Sequence, residues 1–271
     1  MLIAQVTDSH VEAPGVIAHG RYDARALLAR ALKQIAAMTP RVDFILHTGD
    51  VTHHGDVQVN RDVRAMLEAT GLPYAVMQGN HDETEPLRQA YADTPWMPKT
   101  GFLHYVIDDF APRIICLDTK IQGQIPGELC EERLAWLETQ LKNGGSRPTM
   151  IAMHHPAFRI GRPFSDARPF RNADKFAALL GQYPNVSLVV AGHVHCTLQA
   201  RIGNAVAIAA PSTGFQFLVD RREGATLSLI DEPPAFYVHD WSDAHGFTSQ
   251  CALIGDFAVS KPMPAAPTKS T

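Results

Sequence analysis

Short apolar runs alternate with longer segments in which apolar residues recur at helical spacing. Leu2–Val6 is the first apolar run, and the segment 24–38 then places Leu28, Leu32 and Ile35 on one helical face. Strands are predicted at 2–7, 42–46, 74–77, 103–108, 113–118, 149–153 and 187–190, and helices near 24–38, 56–69, 131–142 and 172–182. Short alternating segments without helices follow near 197–201, 204–209, 225–230 and 236–241. The order predicts an α/β sandwich with an additional β-rich region.

Polar side chains follow five of the predicted strands at the point where each strand ends. They are Asp8 and His10, Asp50, Asn80 and His81, His154, and His193 and His195. Any one of these groups alone is ordinary turn or loop chemistry. Ligand sites in α/β sheets form outside the carboxyl ends of strands, so five such ends on one edge predict a single dense polar cluster.

The residue types in this cluster indicate metal binding. Imidazole, carboxylate and amide ligands without thiolate favour manganese, iron, zinc or cobalt. The number of candidate ligands exceeds the three or four protein ligands of one catalytic zinc. Two divalent ions that share a bridging carboxylate would use the whole set.

Composition and charge narrow the class of protein. Apolar residues make up 45% of the 271-residue chain, charged residues make up 19%, and the formal net charge is −4. This balance, without a Lys/Arg run, argues against general nucleic-acid binding. The sequence has no apolar stretch of 18 residues, so we expect no membrane association. Asp8 follows the first strand too closely to leave room for a signal peptide, and we therefore expect a cytoplasmic protein.

The order of the polar blocks resembles that of the calcineurin-like metallophosphoesterases. The blocks Asp8-x-His10, Gly49-Asp50, Gly79-Asn80-His81-Asp82, His154 and Gly192-His193-x-His195 are all present over residues 8–195. With the compact chain length, they look most like the class III cyclic-nucleotide phosphodiesterases and the related glycerophosphodiesterases.

The resemblance implies a fold and a role for each residue. The fold would be a four-layer αββα sandwich of two mixed β-sheets flanked by helices, with a small β-rich C-terminal extension. Asp50 would bridge two metal ions, and a metal-bound hydroxide would attack the phosphorus atom. The first ion would be held by Asp8, His10 and His195, and the second by Asn80, His154 and His193. His81 would be a catalytic residue outside the ligand set.

Three segments are expected along the chain. Residues 1–200 would form the catalytic core, and residues 201–258 a β-rich segment that completes the sandwich. Surplus apolar residues in this second segment either pack on the core or form a homodimer interface. Residues 259–271, rich in Pro, Ala, Ser and Lys, are expected to form a mobile tail.

Several loop residues are candidates for substrate binding. His19 and Tyr22 lie in the loop after His10, and His53 follows Asp50 closely. His53 either contacts substrate or, like His54, is an exposed loop histidine. Phe215 either stacks on a base or belongs to the core. Asp82 either orients a neighbouring imidazole or caps a helix beginning at residue 83.

The function predicted from these patterns is hydrolysis of a small phosphodiester. We expect 3′,5′-cyclic AMP or a related cyclic nucleotide as substrate, with a glycerophosphodiester as the alternative. A further alternative is a non-catalytic binding module that keeps the fold. Such a module is expected to lose a metal position, and here every position is filled.

Overall fold

The computed structural model describes residues 1–258. The strands are β1 (Leu2–Val6), β2 (Phe44–His47), β3 (Tyr74–Val76), β4 (Tyr105–Ile107), β5 (Arg113–Leu117), β6 (Thr149–Met153), β7 (Val186–Ala191), β8 (Leu198–Ile202), β9 (Ala205–Ala209), β10 (Gln216–Phe217), β11 (Leu229–Ile230), β12 (Ala235–Ser242) and β13 (Gly246–Leu253). The helices are α1 (Ala24–Ala36), α2 (Val57–Glu68), α3 (Thr84–Ala90), α4 (Glu131–Gly144), α5 (Pro163–Asp166) and α6 (Ala173–Leu180).

Two large mixed sheets form the centre of the molecule. The first has the strand order β13-β12-β1-β2-β3, in which β1, β2 and β3 are parallel and β12 and β13 are antiparallel. The second has the order β4-β5-β6-β7-β9-β8, in which β5, β6, β7 and β9 are parallel. β10 and β11 form a separate two-stranded ribbon.

Three hydrophobic cores separate four layers. Helices α1 to α3 pack on the outer face of the first sheet, where Leu28 lies in one cluster with Val6. The facing sides of the two sheets share a second cluster that includes Ile3 and Met150. Helices α4 and α6 pack on the outer face of the second sheet. Because side chains alternate along a strand, Ile3 and Val6 serve opposite faces of β1. The four-layer αββα prediction is confirmed.

The longer predicted helices and the core strands lie close to their predicted positions. The Asp23 side chain accepts a hydrogen bond from the Ala26 N–H and caps α1, and Asp56 caps α2 in the same way. The prediction missed α5, β10 and β13, and the strand predicted near 225–230 is reduced to the two residues of β11. Neither α5 nor β11 is long enough to show a period.

The chain after residue 200 contributes strands to both sheets. β9 pairs with β7, while β12 pairs with β1 through the register Leu2 to Asp240 and Gln5 to Tyr237. The predicted mobile tail, 259–271, lies outside the described residues. Within residues 1–258, every helix is too short or too polar to cross a membrane.

A buried amide ties the two sheets together beneath the edge where the polar cluster was predicted. The Gln5 Nε2 group donates to the Thr48 Oγ1 atom and to the Ala191 carbonyl oxygen, each at 3.0 Å. Its Oε1 atom accepts from the His239 Nε2 group at 3.0 Å. Thr48 follows β2 and Ala191 ends β7, so Gln5 holds one strand end of each sheet at a fixed distance.

Candidate metal centre

The predicted site residues meet where the carboxyl ends of the two sheets adjoin. In the first sheet, β1 is followed by Asp8 and His10, β2 by Asp50, and β3 by Asn80. In the second sheet, β6 is followed by His154 and β7 by His193 and His195. The structure therefore brings all seven predicted ligands to one place, with contributions from both sheets.

The backbone at these strand ends is turned sharply. Five of the seven residues have positive φ angles: Asp8 (51°), His10 (44°), Asp50 (49°), His193 (69°) and His195 (46°). The left-handed region is uncommon for residues other than glycine and costs energy. Such conformations persist where the surrounding structure fixes them, and they cluster at functional sites.

Two glycines allow the carboxylates to approach the backbone. A Cβ atom at Gly79 would lie 2.1 Å from the Asp50 Oδ1 atom, and one at Gly192 would lie 2.0 Å from the Thr7 Oγ1 atom and 2.5 Å from an oxygen of Asp8. These contacts are too short for any side chain. The glycines of the Gly-Asn-His-Asp and Gly-His-x-His motifs are thus required for close approach.

The first group of polar atoms consists of Asp8, His10 and His195, all buried. The His195 Nε2 atom lies 3.1 Å from the His10 Nε2 atom and 3.2 Å from the Asp8 Oδ1 atom. The carboxylate of Asp8 is held in turn by the Thr7 hydroxyl at 2.7 Å and by the His193 N–H at 2.9 Å. This donor set can hold one ion.

The second group lies on the other side of Asp50. The Asp50 Oδ2 atom is 3.3 Å from the His154 Nε2 atom and 3.7 Å from the His10 Nε2 atom, so it adjoins both groups. The ring nitrogens of His154 and His193 also lie within 4.8 Å of each other. The Oδ1 atom of Asn80 is buried and has no hydrogen-bond partner among the described residues.

The orientation of the imidazoles fits metal ions. The Nδ1 groups of His195 and His154 donate to the carbonyl oxygens of Phe215 (2.6 Å) and Thr48 (2.8 Å). A carbonyl oxygen only accepts, so the Nε2 atom of each neutral ring carries a lone pair. These lone pairs face the carboxylate oxygens of Asp8 and Asp50, which are also acceptors. Acceptors converge in this way where a cation binds between them.

Charges within the cluster shift the protonation of its members. Burial alone would lower the pKa of His154, but the charge and hydrogen bond of Asp50 outweigh burial and raise this pKa to about 9. Burial and the nearby His154 lower the pKa of His193 to about 3. Burial opposes ionisation of Asp8, yet His195 holds the pKa of this carboxyl well below its usual value. The position beside Asp50 therefore attracts positive charge.

His81 and His53 lie next to the first group of ligands. The His81 Nδ1 group donates to the His53 carbonyl oxygen at 3.0 Å, and the two rings stack with centroids 5.0 Å apart. The His53 Nδ1 atom lies 3.2 Å from the His10 Nδ1 atom. His53 is half-buried and contacts both imidazoles, whereas the His54 side chain is 73% exposed.

Asp82 has a different role from the two that were expected. Its buried carboxylate accepts hydrogen bonds from the backbone N–H groups of Val51, Thr52 and Gly79. Glu83, not Asp82, is the residue at the start of α3. The expectations of a helix cap and of a partner for an imidazole were wrong. Asp82 instead joins the loops after β2 and β3, which carry Asp50 and Asn80.

A cavity of about 220 Å³ opens beside the cluster. Of the predicted substrate-binding residues, His19, His53 and Phe215 line it. Tyr22 does not line it, but its ring stacks on Phe215 from behind with centroids 5.5 Å apart. Phe215 itself is buried and stacks on the ring of His10. The remaining lining residues are His10, Asp50, Asn80, His81, Ile125, Arg162, Phe164, Ser165, Arg168, His193, Val194, His195, Phe217 and Leu227.

Part of this lining was not found from the sequence. Phe164 lies in the four-residue helix α5, and Arg162 and Arg168 flank this helix. Ile125 and Leu227 lie in irregular segments. Side chains in irregular segments follow no period, and no motif marked these positions. Only Phe217 carried a signal, since it lies two residues after Phe215.

Comparisons with known proteins agree with this geometry. A family model described as calcineurin-like phosphoesterase matches residues 1–197. A probable glycerophosphodiester phosphodiesterase, GpdQ, of Arcobacter nitrofigilis is 31% identical over 258 residues, which cover 95% of this chain and 94% of the relative. The 3′,5′-cyclic adenosine monophosphate phosphodiesterase CpdA of Pseudomonas aeruginosa is 30% identical over 217 residues, which cover 80% of this chain and 78% of that protein.

Solved structures share the fold at low sequence identity. A dimetal phosphatase from Danio rerio has a TM-score of 0.61 and 13% identity, with 94% of this chain and 99% of that chain covered. The purple acid phosphatase PPD1 from yellow lupin has a TM-score of 0.63 and 15% identity, with 88% of this chain and 49% of that chain covered. At such identities the likeness concerns the fold alone.

Proposed function

The chain belongs to the calcineurin-like phosphoesterase family, and from this membership we propose that it hydrolyses 3′,5′-cyclic AMP or a related cyclic nucleotide at a pair of divalent metal ions. The observation that carries the choice of substrate is the cavity, which joins the polar cluster to an apolar wall. A cyclic nucleotide has the same two parts, a charged phosphodiester and a flat base.

The walls of the cavity suit a base. Phe217 is half-buried, and its ring centroid lies 4.4 Å from that of His195, so an aromatic face adjoins the cluster directly. Val194 and Leu227 extend the apolar surface. Stacking of a base on an aromatic ring contributes about 1–3 kcal/mol. The volume of about 220 Å³ is below the roughly 300–1,000 Å³ of sites for drug-sized ligands, which favours a small diester.

The ligand sets follow the two groups of polar atoms. Asp8, His10 and His195 would hold one ion, Asn80, His154 and His193 the other, and Asp50 would contact both. Nitrogen and oxygen ligands of this kind suit manganese, iron, zinc or cobalt. Bound ions of this type supply Lewis acidity, which activates water and offsets the charge that develops on the phosphate.

His81 is the proposed catalytic residue. Its Nδ1 group is committed to the His53 carbonyl oxygen, which leaves Nε2 as the nitrogen that can meet substrate. A proton on Nε2 can be donated to the alkoxide that leaves the phosphorus atom. The backbone N–H of His81 donates to the Asp50 Oδ1 atom at 2.8 Å, which fixes the backbone of the proposed catalytic residue to the shared carboxylate.

A glycerophosphodiester is the second candidate substrate. The relative named as a probable glycerophosphodiester phosphodiesterase aligns over nearly its whole length, including the chain after residue 200. The relative named as a cyclic adenosine monophosphate phosphodiesterase aligns over a smaller share. The length of the alignment thus favours the glycerol diester, whereas the aromatic wall favours the nucleotide.

Hydrolysis of 3′,5′-cyclic AMP beside glycerophosphoglycerol, with manganese added, tests the proposal. We expect faster turnover of the cyclic nucleotide, with loss of turnover in His81→Ala. Turnover of the glycerol diester alone would replace the first candidate by the second. If neither compound nor bis(4-nitrophenyl) phosphate is cleaved by metal-loaded protein, the proposed activity is wrong.

A further inference from the structure

Two arginines line the cavity beside the polar cluster. Arg162 is 4% exposed, and its Nη2 group donates to the Val194 carbonyl oxygen at 2.6 Å. Arg168 is exposed to solvent at the mouth. Both belong to the segment around α5, which carries no proposed metal ligand. Their charges therefore lie where the part of the substrate other than its phosphate would bind.

The guanidinium of Arg162 is incompletely partnered. Its Nε and Nη1 atoms are buried and have no hydrogen-bond acceptor among residues 1–258. A guanidinium has donors only, and a buried donor without an acceptor is costly. The nearby Asp166 does not fill this need, because its carboxylate accepts from the N–H groups of Ile160 and Gly161 and pairs with Arg159 at 3.4 Å.

The arginines also lie near two aromatic rings that line the cavity. The guanidinium carbon of Arg168 lies 4.6 Å from the centroid of the Phe164 ring, and that of Arg162 lies 5.9 Å from the centroid of the Phe217 ring. Aromatic faces can bind ammonium groups. Here each ring already has a protein cation nearby, and this cation repels a positively charged ligand group but not a neutral base.

The balance of charge around the cavity points the same way. Among the described residues that line it, Asp50 is the only carboxylate, and Asp50 lies between the two groups of metal ligands. No acidic side chain of the lining is left to pair with a positively charged substituent. The outer part of the cavity is therefore electropositive.

We infer that Arg162 and Arg168 form a subsite that selects the non-reacting half of the substrate. The subsite accepts a neutral group rich in hydrogen-bond acceptors, such as a purine base or a polyol, or an anionic group. It rejects primary and quaternary ammonium alcohols, and thus ethanolamine and choline diesters. The inference rests on the proposed phosphodiesterase function and narrows its substrate class.

Equilibrium binding separates this inference from the proposed function. Glycerol 3-phosphate and phosphoethanolamine are similar in size, and each carries one phosphate for the metal ions. Titration calorimetry on manganese-loaded protein at low salt should give a dissociation constant for glycerol 3-phosphate at least about tenfold lower. Equal constants for the two compounds would overturn the inference, whether or not any diester is cleaved.

Substitution of the two arginines tests whether they cause the preference for glycerol 3-phosphate over phosphoethanolamine. Arg168→Met changes an exposed residue and should reduce the tenfold difference to about threefold. Arg162→Gln, checked by its melting temperature, should reduce the difference further. Arg159→Met is the matched control, because Arg159 is exposed and lies outside this cavity. An unchanged ratio in both Arg168→Met and Arg162→Gln would contradict the assignment.

The same arginine variants can be compared by their rates of diester hydrolysis. Wild-type protein should hydrolyse glycerophosphoglycerol with a kcat/KM at least about tenfold above that for glycerophosphocholine, and the arginine variants should narrow this ratio. The rate on bis(4-nitrophenyl) phosphate should stay unchanged in the control variant Arg159→Met, because Arg159 lies outside this cavity. Equal kcat/KM values in wild-type protein would reject the subsite while leaving the phosphodiesterase function intact.

Discussion

The metal-binding edge and the outer wall of the cavity are built from different kinds of structure. The edge consists of strand ends from two sheets, with buried side chains, turned backbone and glycines that permit close approach. The outer wall, formed by Arg162, Phe164, Arg168, Phe217 and Leu227, comes from loops and short elements. Loops on a rigid scaffold vary more readily than the scaffold. We therefore expect the strand ends of the sheets to determine the reaction and the loops to determine which substrate is bound.

Removing the shared carboxylate should affect the edge most strongly. Asp50→Asn keeps the size of the side chain but removes the charge that adjoins both groups of ligands. We expect the rate on bis(4-nitrophenyl) phosphate to fall by about 10⁴-fold, the upper end of single-group effects. Elemental analysis should show a loss of bound metal. Full metal content with an unchanged rate would refute the proposed place of Asp50.

Removing His81 should separate chemistry from metal binding within the edge. His81→Ala is expected to lower kcat by about 10²–10³-fold, because the leaving oxygen loses its proton donor. Metal content should equal that of the wild type, as measured on the same protein samples. A parallel loss of metal would instead make His81 a ligand.

His53 and His54 are adjacent in sequence, but only His53 contacts the polar cluster, so His54 serves as the matched control. Since the ring of His53 contacts His10 and stacks on His81, His53→Ala should weaken metal binding by about 10–100-fold. His53→Asn retains an acceptor for the His10 Nδ1 group and should restore part of the affinity. Competition with a chelator measures this, and His54→Ala should behave as wild type. Equal effects at the two positions would argue against a specific contact.

A change in the outer wall should alter substrate binding alone. Phe217→Ala removes the aromatic face beside the cluster, and we expect KM for 3′,5′-cyclic AMP to rise about tenfold with kcat nearly unchanged. The rate on a methyl phosphodiester, which has no base to stack, should be the same in both proteins. A fall in kcat at constant KM would instead indicate that Phe217 acts in the reaction, like the residues of the metal-binding edge.

The smallest expected effect concerns stability beneath the edge. His239 is fully buried, and burial lowers its pKa to about 3 from 6.5. Between pH 3 and pH 6.5, His239 therefore binds a proton in the unfolded chain but not in the folded chain. The free energy of unfolding of the protein should fall by up to about 1.4 kcal/mol per pH unit as the pH drops from 6.5 towards 3. His239 makes no contribution to this pH dependence above pH 6.5.

Urea unfolding at pH 7 and pH 5 measures this dependence. His239→Gln, which cannot titrate but can still donate to the Gln5 side chain, should show a shallower change between the two pH values. An identical pH dependence in wild type and variant would rule out His239 as its source.

The sequence allowed the edge to be predicted because each ligand there is fixed by a strand. Asp8, Asp50 and His154 follow apolar runs whose length and order also indicate the sheets. Asp82 misled prediction because its partners, the N–H groups of Val51 and Thr52, lie some thirty residues away. Arg162 and Leu227 gave no signal, since only the tertiary fold brings their loops together. β13 contacts solvent with many of its residues and shows little apolar alternation.

The pairing of β1 with β12 has a consequence for how the protein is made. β1 precedes β12 by some 230 residues along the chain and is flanked by β12 and β2 in the finished sheet. Until β12 has been synthesised, one side of β1 has no partner, and an unpaired strand edge favours aggregation. All seven proposed ligands are translated before that side is closed. The first sheet therefore closes on β1 only after every proposed metal ligand has been synthesised.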